Sequence, residues 1–274
     1  MFQGSKIIVT GGSSGIGLAT AKAFARRGAH VGIVGRDEDK LASAKAVIEK
    51  ERASDAQRVA TASADLSDLE QAKIALGSLI EAGLDPDVLV NSAGVIIPGE
   101  FTVMSHEDFD RNLTNGFESV VNPCRFIAPR MVERGSGHIV NMSSGAGYMS
   151  LYGYTGYSSA KFAVRGFSEA LRSEMKPHNV RVSVVFPPDT DTPGLAYEKT
   201  LRPHETEKSA SIVKPIPPES VAEAIIKGVE KNKFYILPDI ASRLALRLMG
   251  LWPELWFWKI DGDIKKSRRE RGLS

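Results

Sequence analysis

Tyr157 and Lys161 are the two residues of this sequence whose types and spacing most directly suggest chemistry. Of the six tyrosines, only Tyr157 has a lysine four positions further on. Because residues i and i+4 share a face of a helix, the lysine ammonium is expected to lie near the phenol hydroxyl and to lower its pKa from about 10. A tyrosine tuned in this way can donate a proton to a carbonyl oxygen in a reduction, or accept one in an oxidation.

A serine at the end of a predicted strand could assist the same reaction. Ser144 stands just after the predicted strand at residues 138–142 and could hydrogen-bond the reacting oxygen, which would stabilise the charge that develops there. Its neighbour Ser143 stays open as an alternative. A lone Y-x-x-x-K pattern also fits an ordinary pair on a helix surface, so its meaning depends on the motifs that accompany it.

The glycine-rich residues 10–17, TGGSSGIG, fit two patterns of different chemistry. As G-x-S-x-G they could present Ser13 as a hydrolase nucleophile, which would need a histidine and an acid from later loops. Four of the five histidines stand at predicted strand or helix ends, and nothing around the fifth, His204, resembles a catalytic triad. The second pattern is a loop whose glycines let the phosphates of a dinucleotide approach a helix N-terminus. The sequence favours this second interpretation.

The residue after the second predicted strand indicates which dinucleotide binds. An NAD-binding fold places an acid about 20 residues after the loop, where it accepts the ribose 2′-hydroxyl. Here that place reads Gly35-Arg36, and a guanidinium pairs well with a 2′-phosphate. Lys40 could add a second positive charge, and Ser13 and Ser14 could donate hydroxyls. The expected cofactor is NADPH; the alternative is that Arg36 is an ordinary solvated charge at a helix start.

Short β-branched runs alternate with amphipathic helical segments along the chain. This alternation predicts an α/β fold, a doubly wound parallel sheet of the Rossmann type with about seven strands and helices on both faces. No linker or repeat divides the chain, so a single domain over residues 1–274 is expected. The predicted strands cover residues 6–10, 30–34, 58–62, 87–91, 138–142, 180–186 and 234–237.

The distinctive short motifs follow the predicted strands. In a doubly wound sheet, ligands bind at the carboxyl ends of the strands, so these motifs are expected to meet at one site. Residues 189–218 read as a long irregular stretch and are predicted to form a substrate lid, because structureless loops of that length are usually functional.

Composition excludes several classes of protein. The net charge of +2 gives no case for nucleic acid, and the single cysteine, Cys124, excludes an intrachain disulfide. Cys124 reads as a small core residue, and such cysteine usage fits a reducing compartment. No signal peptide and no uncharged apolar run of about 20 residues are recognised. We expect a cytoplasmic protein, or one bound peripherally to the cytosolic face of a membrane.

Together these motifs resemble those of the classical short-chain dehydrogenases/reductases. The resemblance rests on T-G-x-x-x-G-x-G, on NSAG at residues 91–94 and on the Ser, Tyr-x-x-x-Lys set, and it covers residues 6–194. Residues 156–194, which include PPDTDTPG, more narrowly resemble the 3-ketodihydrosphingosine (3-ketosphinganine) reductases. That resemblance implies NADPH-dependent reduction of the ketone of a long-chain sphingoid base, a hydrophobic substrate.

The resemblance also implies site residues and an assembly. Ser144, Tyr157 and Lys161 would be catalytic, and Lys161 would also reach the nicotinamide ribose. Relatives commonly form dimers or tetramers through long helices, so a homo-oligomer is expected. The residues expected to bind the cofactor are Gly11, Ser13, Ser14, Gly15, Ile16, Gly17, Arg36, Lys40, Asp65, Leu66, Asn91, Ala93, Gly94, Tyr157, Lys161, Pro187 and Thr190.

One position departs from the family pattern. The family uses an asparagine on the helix after the fourth strand, whose backbone orders a water of a proton relay. Here that position falls on Gly116, and Asn115 stands one residue earlier, roughly a 100° turn of the helix away. A local bulge could restore the geometry; alternatively, a backbone carbonyl serves alone, or the relay is weakened. Asn115 is kept as a catalytic candidate.

All three tryptophans lie in an amphipathic C-terminal segment, residues 240–271, which ends in a basic tail. Such a segment could lie on an anionic membrane. It could equally pack over the substrate cleft or a subunit interface. For the whole chain, the alternatives to a 3-ketosphinganine reductase are a reductase of another hydrophobic ketone (a retinoid, a steroid or an acyl chain) and a non-catalytic NADP(H)-binding protein.

Overall fold

A computed structural model describes residues 2–210 and 214–272. These residues contain a seven-stranded, all-parallel sheet in the order β3-β2-β1-β4-β5-β6-β7, which confirms the predicted doubly wound fold. Each predicted strand is present, with ends shifted by at most two residues, the usual fraying of element boundaries. The strands are β1 (Lys6–Thr10), β2 (His30–Gly35), β3 (Val59–Ser63), β4 (Val88–Asn91), β5 (Gly137–Met142), β6 (Val180–Val185) and β7 (Tyr235–Ile236).

Helices cover both faces of the sheet because its strands are apolar on both faces. Successive strand residues point to opposite sides: Ile7 and Val9 belong to one buried cluster and Ile8 to another. Helices α1, α2 and α9 complete the first cluster, and α3, α5 and α6 complete the second. The helices are α1 (Gly15–Ala25), α2 (Glu38–Lys50), α3 (Leu69–Glu81), α4 (His106–Leu113), α5 (Ser119–Arg134), α6 (Thr155–Met175), α7 (Pro193–Leu201), α8 (His204–Ala210), α9 (Pro218–Glu230), α10 (Ile240–Leu251) and α11 (Pro253–Glu270).

The predicted irregular lid is mostly helical, so that part of the prediction is wrong. Helices α7 and α8 occupy much of residues 189–218, while residues 211–213 lie outside the described part of the chain. The Thr192 hydroxyl accepts a hydrogen bond from the Leu195 N–H at 3.1 Å, and Pro193 takes the first helical position. This pairing of an N-cap threonine with a proline is a helix-start signal that the sequence analysis missed.

The C-terminal segment forms α10 and α11, and α11 is fastened to the rest of the molecule. The His204 Nδ1 lies 2.8 Å from the Ser267 hydroxyl, and Arg271 pairs with Glu205 at 3.0 Å. The Trp256 indole N–H donates to the Ser150 carbonyl at 3.0 Å. Across residues 2–210 and 214–272, no helix combines the length and apolar character needed to cross a membrane.

The long helix after β4 contains a π-helical turn where the family asparagine is displaced. Helix α4 leads into the π-helical residues Thr114–Glu118, and α5 continues from Ser119. Of the three possibilities left open by the sequence, the structure therefore contains the local bulge. The bulge also brings Gly116 against α6, where a Cβ on Gly116 would lie 2.7 Å from the Ala160 Cβ.

We expect Gly116→Ala to destabilise the protein, because the added methyl group would have to push α6 away. Overpacking of this kind costs about 1–3 kcal/mol, which outweighs the better helix propensity of alanine. The matched control is Gly166→Ala on α6, where a Cβ would meet nothing within 4 Å. Urea unfolding followed by circular dichroism measures both variants. Equal unfolding free energies for the two variants would contradict the tight contact.

Candidate functional site

The candidate site is a cleft of about 820 Å³ at the carboxyl ends of the strands. It is bounded by the loops after β1, β2, β4, β5 and β6 and by helices α10 and α11. The volume lies within the range typical of cofactor and small-molecule sites. The predicted site residues that line it are Gly11, Ser13, Ser14, Gly15, Ile16, Gly17, Arg36, Lys40, Asp65, Leu66, Ala93, Gly94, Asn115, Ser144, Tyr157, Lys161, Pro187 and Thr190.

Asn91 is the one predicted cofactor residue that does not line the cleft. Its side chain is fully buried behind the cleft wall, where its amide donates to the Asn141 Oδ1 at 2.9 Å and to the Cys124 sulfur at 3.2 Å. The prediction for Asn91 is corrected accordingly: the residue joins β4 to β5 and α5. Burial raises the pKa of Cys124 to about 12, as expected of a core cysteine.

The glycine-rich loop after β1 packs its backbone closely against the backbone of the loop after β4. Gly11 has a positive φ of 64°, and a Cβ on it would lie 2.8 Å from the backbone of Ala93. A Cβ on Gly17 would overlap the Gly11 carbonyl oxygen. Helix α1 begins at Gly15, so the unpaired N–H groups of its first turn border the cleft, as a phosphate-binding site requires.

An acid does follow the second strand, but it is already engaged. Asp37 stands one position after Arg36 and lines the cleft. Its carboxylate caps α2 by accepting from the Lys40 N–H at 3.0 Å, and it pairs with the Lys40 ammonium at 3.1 Å. These bonds hold the pKa of the Asp37 carboxyl below its ordinary value. Asp37 is absent from the predicted site residues, although an aspartate before a helical run is a recognisable N-cap signal.

Tyr157, Ser144 and Lys161 meet at the middle of the cleft. The Ser144 hydroxyl lies near enough to the Tyr157 hydroxyl to influence its pKa, and it accepts a hydrogen bond from the Ala146 N–H at 3.1 Å. The Lys161 ammonium lies 5.6 Å from the centre of the Tyr157 ring and donates to the Met142 carbonyl at 3.1 Å. Ser143 has a structural part instead, because its hydroxyl donates to the Lys161 carbonyl at 2.8 Å.

The pKa of Tyr157 moves in the direction opposite to the one predicted. Burial raises it, a hydrogen bond from Ser144 opposes that rise only in part, and the carboxylates of Glu198 and Asp189 add to it. The lysine ammonium lies over the face of the ring, and burial lowers the pKa of Lys161 itself to about 8. The expected lowering of the Tyr157 pKa is therefore wrong for this structure, since removal from water disfavours the phenolate.

In the π-helical turn, the Asn115 carbonyl oxygen lies near Gly94, as the Lys161 Nζ also does, whereas the Asn115 side chain points back along the helix. The Asn115 carbonyl oxygen and the Lys161 Nζ lie 3.6 Å and 3.5 Å from the position that a Cβ on Gly94 would take. The Asn115 carbonyl also accepts from the Ser119 hydroxyl at 2.7 Å. The Asn115 side-chain amide turns back along the helix and donates to the Arg111 carbonyl at 3.2 Å.

Ser13 has no histidine base among the described residues that line the cleft, contrary to what the hydrolase interpretation requires. Ser13 lines the cleft, but the lining contributed by residues 2–210 and 214–272 contains no histidine. His204, the one candidate left by the sequence, bonds to Ser267 on α11. A serine nucleophile needs a histidine base within hydrogen-bond reach, so the site does not support acyl transfer.

Four polar residues that the sequence analysis missed form a cluster in the same cleft. The Glu198 Oε1 accepts from the Tyr154 hydroxyl at 2.5 Å and from the Arg202 Nε at 2.8 Å, and Arg202 also pairs with Asp189 at 2.9 Å. Burial raises the pKa of Tyr154 and of Glu198. The Arg202 pKa is raised by Glu198 and Asp189 although burial opposes this. The Glu-x-x-x-Arg spacing on α7 was the available signal.

The far wall of the cleft is apolar and comes from the C-terminal segment. Leu248 and Met249 of α10, Leu255 of α11 and Trp252 between them all line the cleft. Of the three interpretations left open for this segment, a membrane surface, the substrate cleft and a subunit interface, this lining favours packing over the cleft. These residues were not predicted as site residues. Helical periodicity shows which side chains share a face of a helix, but it does not show what that face packs against.

Comparison with known proteins places this site in a family. The model of the short chain dehydrogenase family matches residues 5–202. A 3-ketodihydrosphingosine reductase of Bos taurus is 42% identical over 232 residues, which is 84% of this chain and 70% of that protein.

Solved structures agree. A short-chain dehydrogenase/reductase from Burkholderia phymatum in complex with NAD is 25% identical, with a TM-score of 0.82 over 93% of this chain and 95% of that one. A short-chain dehydrogenase from Sphingobium yanoikuyae in complex with NADPH is 26% identical, with a TM-score of 0.77 over 92% and 94%. The chain belongs to the short-chain dehydrogenase family.

Proposed function

We propose that this chain reduces the ketone of 3-ketosphinganine to an alcohol at the expense of NADPH. The observation that carries the proposal is that a phenol and a serine hydroxyl, Tyr157 and Ser144, meet in one cleft between a glycine-rich loop and an apolar wall. The similarity to a reductase named for this substrate supports the choice of ketone.

The residues present fit a dinucleotide with a 2′-phosphate. A side chain at Gly11 or Gly17 would collide with neighbouring backbone, so this loop needs glycine at both positions. Such a loop is expected where phosphates approach the backbone closely. Arg36 and Lys40 line the same end of the cleft, and the neighbouring Asp37 carboxylate is held by Lys40. When bound, NADPH would supply the hydride. The other cofactor-binding residues predicted from the sequence remain our proposal, apart from Asn91.

Tyr157 is suited to donate the proton that the reduced carbonyl oxygen needs. Because burial raises its pKa, the phenol stays protonated at neutral pH. The Ser144 hydroxyl is placed to bond the same oxygen as its charge develops. Lys161, with a pKa of about 8, is mostly an ammonium at neutral pH and can stabilise the phenolate left after transfer. The Asn115 carbonyl oxygen and the Lys161 Nζ both lie near Gly94, and Asn115 stays our candidate for the proton relay.

The apolar wall suits a substrate with a long alkyl chain. Leu248, Met249, Trp252 and Leu255 offer aliphatic and aromatic surface beside the reacting groups. Burying methylene groups against such a wall contributes about 0.8 kcal/mol for each group. A long alkyl chain can therefore bind through the burial of its apolar surface, while the polar residues orient the ketone.

We also propose that the outer face of α10 and α11 contacts an anionic lipid surface. The exposed side chains there include Leu251 and Trp258, and Arg247 and the basic end of α11 lie on the same two helices. Interfacial tryptophans beside basic residues favour the boundary of an anionic bilayer. The same helices form the cleft wall, so a lipid substrate could enter from the membrane. A cytoplasmic location and a homo-oligomer stay predictions; an exposed Phe162 ring on α6 supports the latter.

Tyr157→Phe should lower kcat by about a hundredfold to ten-thousandfold, the usual contribution of a general acid. NADPH binding, measured by fluorescence titration, should change little, because the ring stays in place. The assay is NADPH oxidation with 3-ketosphinganine in mixed micelles. Tyr197→Phe is the matched control, since Tyr197 is exposed on α7 and outside the cleft lining.

Two results would overturn the assignment. Turnover by Tyr157→Phe close to that of the parent would remove the phenol as proton donor. A parent that binds NADPH tightly but reduces no 3-ketosphinganine would disprove the substrate, and would favour another hydrophobic ketone or a non-catalytic binding protein.

Arg36→Gln should weaken NADPH binding by about tenfold to a hundredfold and leave NADH binding unchanged. The physical reason is the loss of a charge-assisted hydrogen bond to the 2′-phosphate, which NADH lacks. Isothermal titration calorimetry with both cofactors measures the difference. Arg181→Gln is the control, because Arg181 stands near the amino end of β6, whereas the cleft lies at the carboxyl ends of the strands. An equal loss of affinity for NADPH and NADH would argue against phosphate recognition by Arg36.

Trp258→Ser should reduce binding to vesicles of equal parts phosphatidylserine and phosphatidylcholine by about tenfold, the effect of losing one buried aromatic side chain. Trp258 is 79% exposed and outside the cleft lining. Cosedimentation measures the bound fraction. The matched control is Ile74→Ser, since Ile74 is 73% exposed on α3. A parent that stays in the supernatant would disprove the membrane contact.

A further inference from the structure

The cluster of Tyr154, Asp189, Glu198 and Arg202, here called the carboxylate cluster, is not used by the chemistry described so far. Glu198 is 7% exposed and the Arg202 side chain is 6% exposed, so both charges are largely removed from water. Burying charges costs free energy that their attraction only partly offsets. A cluster of this kind in a cleft is therefore a candidate for binding.

The carboxylate cluster carries an excess of negative charge. Two carboxylates face one guanidinium, which leaves a net charge of −1 when both acids are ionised. The hydrogen bonds to the Glu198 carboxylate from described residues all reach its Oε1, from Tyr154 and from Arg202. The Glu198 Oε2 accepts none from the residues whose side chains are described, 2–207 and 214–272, and the Asp189 side chain remains about one-third exposed. Acceptor capacity is thus left on both acids.

The cluster lies next to the reacting phenol. The Tyr154 and Tyr157 rings pack edge to face with their centres 6.1 Å apart, and the Tyr154 hydroxyl bonds Glu198. All four cluster residues line the same cleft as Tyr157. The negative field of Glu198 and Asp189 also reaches the Tyr157 hydroxyl, since it helps to raise the pKa of that group.

A similar set of hydrogen bonds among a glutamate, an arginine and a tyrosine occurs outside the cleft. Such bonds alone therefore do not indicate a binding site. Glu169 accepts from Arg165 at 2.8 Å and from Tyr235 at 2.7 Å, again with a glutamate and an arginine one helical turn apart. This second cluster does not line the cleft and contains a single acid. The additional acid, Asp189, and the position beside Tyr157 distinguish the first cluster.

We propose that Glu198 and Asp189 bind a positively charged amino group on the carbon next to the substrate ketone. The inference rests on the proposed function, because 3-ketosphinganine carries its amino group on C2, beside the ketone at C3. With the ketone at Tyr157, the carboxylate cluster of α7 would receive the ammonium side and the wall of α10 and α11 the alkyl side. The substrate class is therefore 2-ammonium ketones with a long chain.

This assignment predicts discrimination by charge. An ammonium has three donors and can use the open acceptor positions on both acids. A ketone without the amino group would leave these acceptor positions without a cationic partner, and sites built for a polar group reject analogues that lack it. An N-acylated analogue would lose the charge and also add bulk at the cluster.

The test compares two ketones of equal chain length, 3-ketosphinganine and its analogue lacking only the amino group. The quantity measured is the ratio of their kcat/KM values in mixed micelles at pH 7. The parent should prefer the amino ketone by at least about tenfold, the value of one charge-assisted hydrogen bond. Glu198→Gln and Asp189→Asn should each reduce that ratio severalfold. Glu169→Gln, the matched variant in the second cluster, should keep the parental ratio.

The outcomes separate this inference from the proposed function. A parent that reduces neither ketone contradicts the proposed function, and with it this inference. A parent that reduces both ketones equally well keeps the reductase but overturns recognition of the ammonium. A loss in Glu198→Gln that is equal for both ketones also overturns it, since it marks a merely structural effect. Should Glu198→Gln not fold, the parental ratio and the Asp189→Asn ratio still decide the question.

Discussion

The Thr10 hydroxyl accepts hydrogen bonds from the backbone N–H groups of Ser92 at 3.1 Å and Ala93 at 3.2 Å, and the rest of the site depends on this junction. It joins the loop after β1 to the loop after β4, the two neighbouring strands at which the strand order reverses. Only a glycine at position 11 permits the approach, because a Cβ would strike the Ala93 backbone. The glycine-rich loop and the loop beside Lys161 are thereby held as one surface.

Burial decides how the polar groups on that surface behave. The Lys161 side chain is 4% exposed, and the resulting fall in its pKa to about 8 keeps its charge within reach of physiological titration. The same removal from water keeps Tyr157 protonated, which suits a proton donor in a reduction. The π-helical turn lets the Asn115 carbonyl face this region although the asparagine is displaced in sequence.

The cleft then divides into regions of different chemistry along one length. Positive charge at Arg36 and Lys40 lies at the end beside β2, and the carboxylate cluster and the apolar wall lie beyond Tyr157. The positively charged end suits an anionic ligand. The carboxylate cluster and the apolar wall suit a second ligand that has both a cationic group and an apolar part. Helices α7, α10 and α11 contribute the second part. The sequence predicted an irregular lid where α7 lies, and it left the place of α10 and α11 open.

The strands, the alternation of helices, the glycine loop and the Tyr157 and Lys161 pair could all be predicted from local patterns, because each depends on local spacing or on a turn that only glycine permits. The packing of the elements, by contrast, sets which of these residues meet and what their surroundings do to them. It moved Asn91 behind the wall, reversed the expected pKa shift of Tyr157, and placed Glu198 and Asp189 beside the phenol from distant parts of the chain. The physical reason is that burial and long-range contacts, unlike periodicity, are properties of packed elements rather than of neighbours in sequence.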